Sequence, residues 1–285
     1  MKARLLPVLI ACVTLAACGS PPPDPEREDW IPLFDGSSLD GWTPKIRGQA
    51  WGEDADRVFR VEDGVLKAVP PADRPFGDAF GHLFHEGTFG FYRLRVEYRF
   101  VGEQAPEGPG WAWRNSGVMI HGQPGETMTL NQDFPISIEV QLLGGNGDDD
   151  RPTANLCTPG THVEMGDVLV TRHCVSSASE THHGDEWVTA EVEVLGADEI
   201  THRVDSVDVL RYQHPQMGGG SVDSAAPSVM KEGWLLTEGS ISVQSESHPV
   251  EFRRIDVLPL RGCTDPNAIN FKRYYRSSDS TACTY

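Results

Sequence analysis

From Phe91 to Phe100 the chain reads FYRLRVEYRF, and its side chains change character at every step. Tyr92, Leu94, Val96, Tyr98 and Phe100 fall on one face, while Arg93, Arg95, Glu97 and Arg99 fall on the other. A period of two belongs to an extended strand; a helix would scatter the same residues around its circumference. This stretch commits the chain to a sheet with one face against a core and one face polar.

Two further stretches repeat the pattern. In residues 136–143 (ISIEVQLL), Ile136, Ile138, Val140 and Leu142 point one way and Glu139 and Gln141 the other. In residues 115–121 (NSGVMIH), Val118 and Ile120 point inward while Asn115, Met119 and His121 share the opposite face. If these strands are neighbours in one sheet, Asn115, His121, Glu139 and Gln141 meet on one polar surface, to which the strand at 91–100 can add Glu97 and Arg99.

The rest of the chain punctuates short strands with turn residues. Phe59 to Leu66 reads as a hairpin turning at Asp63-Gly64, and LFDGSSLDGW at 33–42 as a strand running into a tight turn. Residues 186–195, 206–212, 239–246 and 250–258 read as strands, 151–184 as irregular, and 215–229 as a long loop of the kind that walls or covers a site. No amphipathic helix of useful length stands out. Many short strands with Gly, Pro and Asp turns imply an all-β, two-sheet sandwich or jelly roll.

The first residues carry Lys2 and Arg4, an apolar run over 5–17, and then Leu15-Ala16-Ala17-Cys18. The run is too short to span a bilayer, and small residues before a cysteine resemble the bacterial lipobox. We therefore expect a signal over 1–17, cleavage before a lipidated Cys18, and, with Gly19 following it, export to the outer membrane. Residues 18–29 are a Pro-rich polar tether, 30–260 one domain and 261–285 a separate tail. Loss of Lys2 and Arg4 leaves 22 of 24 basic residues against 42 acidic ones, a net charge of −20. Such a chain is a poor partner for nucleic acid or an anionic membrane surface, so its membrane contact is through the lipid alone. Cys157, Cys174, Cys263 and Cys283 remain for disulfides, and proximity in sequence favours 157 with 174 and 263 with 283. Cys157, His162, His173 and Cys174, with His182 and His183 nearby, also allow a zinc reading, against which the oxidising compartment weighs.

LFDGSSLDGW at 33–42, VEDGVL at 61–66, RLRVEYRF at 93–100, NSGVMI at 115–120, IEVQLL at 138–143, EW at 186–187, GSISVQ at 239–244 and EFRRIDVLPL at 251–260 occur in an order that resembles the bacterial 3-keto-disaccharide hydrolase family. The resemblance implies a concanavalin-like jelly-roll sandwich with a saccharide site on the concave face of one sheet. It also implies cleavage of glycosides already oxidised to a ketone at C3. Arg254, where the family usually has Asn, and Asp205-Ser206, in place of Asn-Gly, are departures. So is the acid expected after the Glu-x-Gln pair, which only Asp148 to Asp150 could supply. The tail resembles short GCTDPxAxNY modules of bacterial surface proteins.

Laminarinase-like enzymes place two carboxylates on one strand, whereas residues 139–144 keep only Glu139. One base suffices when a C3 ketone acidifies the C2 hydrogen: Glu139 takes that proton, the enolate expels the C1 oxygen, and water adds to the unsaturated sugar. The enolate then needs positive stabilisation from a divalent metal ion, Arg99 or His121. No organic cofactor is called for. Asn115, Gln141, Gln244 and Glu97 are candidates to bind hydroxyls, and Trp111 and Trp113 to stack on a sugar ring or pack in the core. His248 reads as an acid, a metal ligand or a loop residue. A saccharide-binding protein without catalysis is the rival reading, because a jelly roll supports both.

Overall fold

The computed structural model describes residues 24–285. The expected signal and Cys18 lie outside the described residues. Two antiparallel sheets face each other. The seven-stranded sheet runs Cys174–Val175, Asn155–Cys157, Ile138–Leu143, Asn115–Gly122, Gly239–Ser245, Gly81–Phe89, Trp42–Ile46. The ten-stranded sheet runs Val168–Val170, Thr161–Met165, Val207–Met217, Glu199–Val204, Val188–Leu195, Phe91–Phe100, Val250–Pro259, Val65–Ala68, Phe59–Glu62, with Ile31–Pro32 added beside Val250–Pro259. No α-helix occurs among the described residues, and none of their helices is long and apolar enough to cross a membrane. The expected all-β jelly-roll sandwich is the fold.

The alternation in sequence sets the layers. Tyr92, Leu94, Val96, Tyr98 and Phe100 from one sheet pack in a single core with Val118, Ile120, Ile138, Val140, Leu142, Ile241 and Val243 from the other. Burying that apolar surface is the main driving force for the sandwich, and some of the polar groups inside are paired. The Tyr98 hydroxyl, for example, meets Thr153 Oγ1 at 2.6 Å. The expected hairpin at 59–66 turns at Asp63 and Gly64, with φ of 54° and 77°, the left-handed pair that a two-residue turn requires.

Several elements depart from the sequence reading. Residues 151–184 are not irregular throughout; they hold four short strands, among them Asn155–Cys157 and Cys174–Val175, which the Cys157–Cys174 disulfide joins. Glu199–Val204 adds a strand, not read from the sequence, that pairs between Val188–Leu195 and Val207–Met217, and the latter continues past residue 212. The tail carries the Cys263–Cys283 disulfide and a small parallel pair, Arg261–Gly262 with Ser277–Ser278. Residues 24–29, read as part of the Pro-rich tether, are held by this tail: Lys272 Nζ donates to the Asp24 and Arg27 carbonyls at 3.0 and 3.1 Å and pairs with Asp29 at 2.6 Å.

Candidate active site

Because the core takes one face of each sheet, the polar partners of the alternation point outward. On the seven-stranded sheet they form rows. Gln141 pairs with Gly117, Val243 pairs with Val118 so that Gln244 is next in register beside Gly117, Gln244 pairs with His82, and His82 with Lys45. Gly117 is the one position in this row without a side chain, and Glu139 fills the space above it. A Cβ on Gly117 would stand 2.5 Å from Glu139 Oε1 and 2.8 Å from its Cγ.

A cavity of about 470 Å³ opens over this face, a size suited to a small ligand. Trp111, Asn115, Glu139, Gln141 and Glu246 line it on the sheet side, and Asp133, Phe134, Pro159, His173, Ser221, Asp223 and the Cys157–Cys174 disulfide form its walls. Asp133 Oδ1 accepts from the Asp223 amide at 2.8 Å, tying two of the wall loops together. Trp111 is 56% exposed and stacks on Phe80 with ring centroids 5.8 Å apart, leaving an aromatic surface at the mouth.

The polar side chains on this face of the sheet are deeply buried and poorly partnered. Glu139 is 5% exposed, and burial pushes its pKa up from 4.5 to about 8. Glu246 is 2% exposed and is raised well above the usual carboxylate range, first by burial and then by the charge of Glu139. Burial drives His82 down to about 3 with a smaller push from Lys45, so its ring is neutral. Both side-chain atoms of Gln244, both ring nitrogens of His82, Asn115 Oδ1, Ser242 Oγ and Glu246 Oε2 have no protein hydrogen-bond partner. Buried polar atoms normally have partners, and of these residues Asn115 and Glu246 belong to the cavity lining, where their orphaned oxygens mark places for a polar ligand.

Of the residues singled out in the sequence, Glu139, Asn115, Gln141 and Trp111 line the cavity, while Gln244 shares their sheet face but is fully buried and outside the lining. Five others are placed elsewhere. Glu97 and Arg99 lie on the outer face of the ten-stranded sheet, on the far side of the core, because the strand that carries them turns Val96, Tyr98 and Phe100 inward. There Glu97 pairs with Arg253 at 2.6 Å, and Arg99 pairs with Glu251 at 2.7 Å while covering Trp187. His121 leaves the polar face through a bulge: its φ is 49°, the register slips between Ser240 and Ser242 opposite it, and its Nε2 lies 3.0 Å from the Gly196 carbonyl. Trp113 and His248 pack against each other with ring centroids 5.6 Å apart, behind the cavity wall rather than on it. Burial lowers His248 to about 4, so it too is neutral.

Glu246 and Asp133 were missed. Asp133 sits in a loop and gives no pattern, but Glu246 is two residues beyond Gln244 and continues that strand's polar face, a signal that was available. Among the described residues, the only three His, Cys, Asp or Glu donors clustered within 4.8 Å of one another are those of Cys157, His173 and Cys174. Both sulfurs there are committed to the disulfide, so this group is not a metal site.

A jelly-roll sandwich with a sugar-sized cavity, an exposed tryptophan at the mouth and a floor of amides and carboxyls defines a carbohydrate-active protein. Residues 29–258 match the model of the 3-keto-alpha-glucoside-1,2-lyase-like domain, and the chain belongs to that family. Among solved structures, the chain is similar to a candidate glycosyl hydrolase of Parabacteroides distasonis ATCC 8503, at 18% identity over 81% of this chain and 100% of that chain, TM-score 0.48. It is also similar to the carbohydrate-binding module CBM66 from Bacillus subtilis, at 7% identity over 76% and 95% of the two chains, TM-score 0.44. A third such structure is the β-glucanase of Bacillus licheniformis, at 10% identity over 81% and 97%, TM-score 0.43. Comparison with curated proteins gave no match.

Proposed function

We propose that this protein cleaves 3-keto-glycosides by elimination followed by hydration, with Glu139 as the base. The observation that carries the reading is the placement of Glu139: a desolvated carboxyl, set over a glycine, facing a cavity of sugar size. A ketone at C3 acidifies the C2 hydrogen, and a base whose pKa is raised by burial is matched to that task near neutral pH. Glu139 takes the C2 proton, and the C2–H electron pair becomes an enolate with its charge on the C3 oxygen. The amide of Gln141, which lines the cavity and whose oxygen is engaged by Asn155 at 3.1 Å, is a donor for that oxygen and the neighbouring hydroxyls. The enolate collapses back to the ketone, C1=C2 forms, and the C1–O bond breaks as the leaving oxygen takes up a proton. Water then adds its hydroxyl to C1 and a proton to C2, giving the free 3-keto sugar. Trp111 supports the ring at the cavity mouth.

The test is turnover of a 3-keto-glucoside by the purified protein and by Glu139→Gln. Loss of a general base costs about 10²- to 10⁴-fold in rate while sugar affinity is kept, since glutamine retains volume and hydrogen bonding. Near-normal turnover in the variant removes Glu139 from the role. Sugar binding without turnover in the unmodified protein leaves the saccharide-binding reading in its place, and loss of turnover on adding a chelator assigns the enolate to a divalent ion instead of the Gln141 amide.

A further inference from the structure

We propose that Glu246 is the acid that protonates the departing glycosidic oxygen, so that the site works as a two-carboxyl pair divided between neighbouring strands instead of carried on one. This rests on the reading of Glu139 as base. Glu139 stands on Ile138–Leu143, and Glu246 follows directly on Gly239–Ser245; the strand between them, Asn115–Gly122, contributes Gly117 at the gap. Both carboxyls line the same cavity, and Glu246 Oε2 is buried without a protein partner.

The two environments set the roles apart. No basic side chain or backbone amide stabilises the Glu246 charge, and an ionised Glu139 beside it opposes a second negative charge in the same dry space. Once Glu139 ionises, near pH 8, the pair holds one proton and one charge, with the charge on Glu139 and the proton on Glu246. A protonated carboxyl next to the C1 substituent can give its proton to the leaving oxygen as the C1–O bond breaks, becoming a carboxylate. Glu139, now protonated, and Glu246, now ionised, exchange acid and base roles when water adds: Glu246 takes a proton from the water that attacks C1, and Glu139 returns its proton to C2. Atoms and protons balance over the cycle with no oxidant or reductant.

The experiment compares two 3-keto-glucosides, one with a methyl and one with a 4-nitrophenyl leaving group, on the intact protein, Glu246→Gln and Glu139→Gln. Nitrophenolate leaves without protonation. Glu246→Gln is expected to lose about 10²- to 10⁴-fold on the methyl compound and to retain most of the elimination rate on the nitrophenyl compound, with nitrophenol released ahead of slow hydration. Glu139→Gln is expected to lose both. Equal loss on the two substrates in Glu246→Gln, or normal turnover of the methyl compound, overturns the assignment. An independent readout needs no substrate: infrared difference spectra at about pH 9, where Glu139 is ionised, should show a protonated carboxyl that disappears in Glu246→Gln. If the intact protein cleaves neither compound, the functional reading fails; the infrared signal still judges Glu246, because its absence overturns the acid role whatever the substrate.

Discussion

At the residue scale, the cost of this site is visible in the titration of one side chain. Glu139 is held protonated up to about pH 8 in the folded chain and titrates near 4.5 when exposed. As a base it works only when ionised, so the rate constant kcat/KM for a 3-keto-glucoside is expected to rise with pH until about 8. A profile flat from pH 5 to 8 would disconnect Glu139 from catalysis. The same shift has a stability consequence of opposite sign. Between pH 4.5 and 8 the folded state keeps a proton that the unfolded state has released, so stability falls as pH rises through that window. Glu139→Gln carries no such penalty. It should therefore be more stable than the unmodified protein at pH 8 by a margin on the order of a few kcal/mol, seen as a higher unfolding temperature, and should unfold at nearly the same temperature at pH 4. Thermal scans at the two pH values check this.

At the element scale, alternation told which side chains oppose the core but not which sheet they belong to. Glu139 and Glu97 each lie on a polar strand face, yet the core separates them, because the two strands joined opposite layers. Period-two patterns carry no information about strand partners, and a catalytic cluster is a property of partners. His121 failed for a related reason. Its place on the polar face held until the strand met Gly239–Ser245, where the slip in pairing turned its ring to the Gly196 carbonyl. The stretch 151–184 read as irregular because its strands are two to five residues long and are broken by Pro159, Gly160 and Gly166, too short for a period to register. By contrast the disulfide partners, the turn at Asp63-Gly64 and the inward rows at 92–100 and 138–142 were legible, since each depends on local chemistry. Gly117 combines both levels: its strand was evident, and its role appears only once Glu139 lies over it. Gly117→Ala should leave the sheet in place but displace the Glu139 carboxylate, at a cost of about 10²-fold in turnover, the loss that goes with misplacing a reacting group by roughly 1 Å. Circular dichroism and the rate on a 3-keto-glucoside together test it; an unchanged rate would mean the carboxylate does not need its present position.

At the scale of the whole molecule, the cavity and the chain's first described residues lie on opposite sides. Trp30 sits beneath the Arg95 guanidinium at 4.2 Å, and Glu28 pairs with Arg93, both on the outer face of the ten-stranded sheet, while the cavity opens from the seven-stranded one. With Cys18 lipidated, as proposed from its lipobox-like context, residues 19–23 alone separate the lipid from Asp24. On that proposal those residues reach at most about 18 Å, and the ten-stranded sheet is expected to face the membrane with the cavity turned away from it. Mass spectrometry of the exported chain should find diacylglycerol on Cys18, and an unmodified terminus downstream of it would remove the anchor.

The tail gives this arrangement its rigidity. Lys272 and Arg273 hold residues 24–29 through the Asp24, Pro25 and Arg27 carbonyls and the Asp29 and Glu26 carboxylates. Both stand within the loop that Cys263 and Cys283 close, with a sequence separation of 20. A unit this small lacks the buried area to hold itself together, and closing such a loop is worth roughly 3 kcal/mol in the chain-entropy model. Cys283→Ser should therefore release the tail and residues 24–29 together, and limited proteolysis should cut both segments at rates at least tenfold above those of the unmodified protein. Turnover of a soluble 3-keto-glucoside should not change, because no residue of the tail lines the cavity. A variant that lost activity below its unfolding temperature would show instead that the tail supports the sandwich itself. One that kept residues 24–29 protected would show that the disulfide is not what holds the leading segment against the fold.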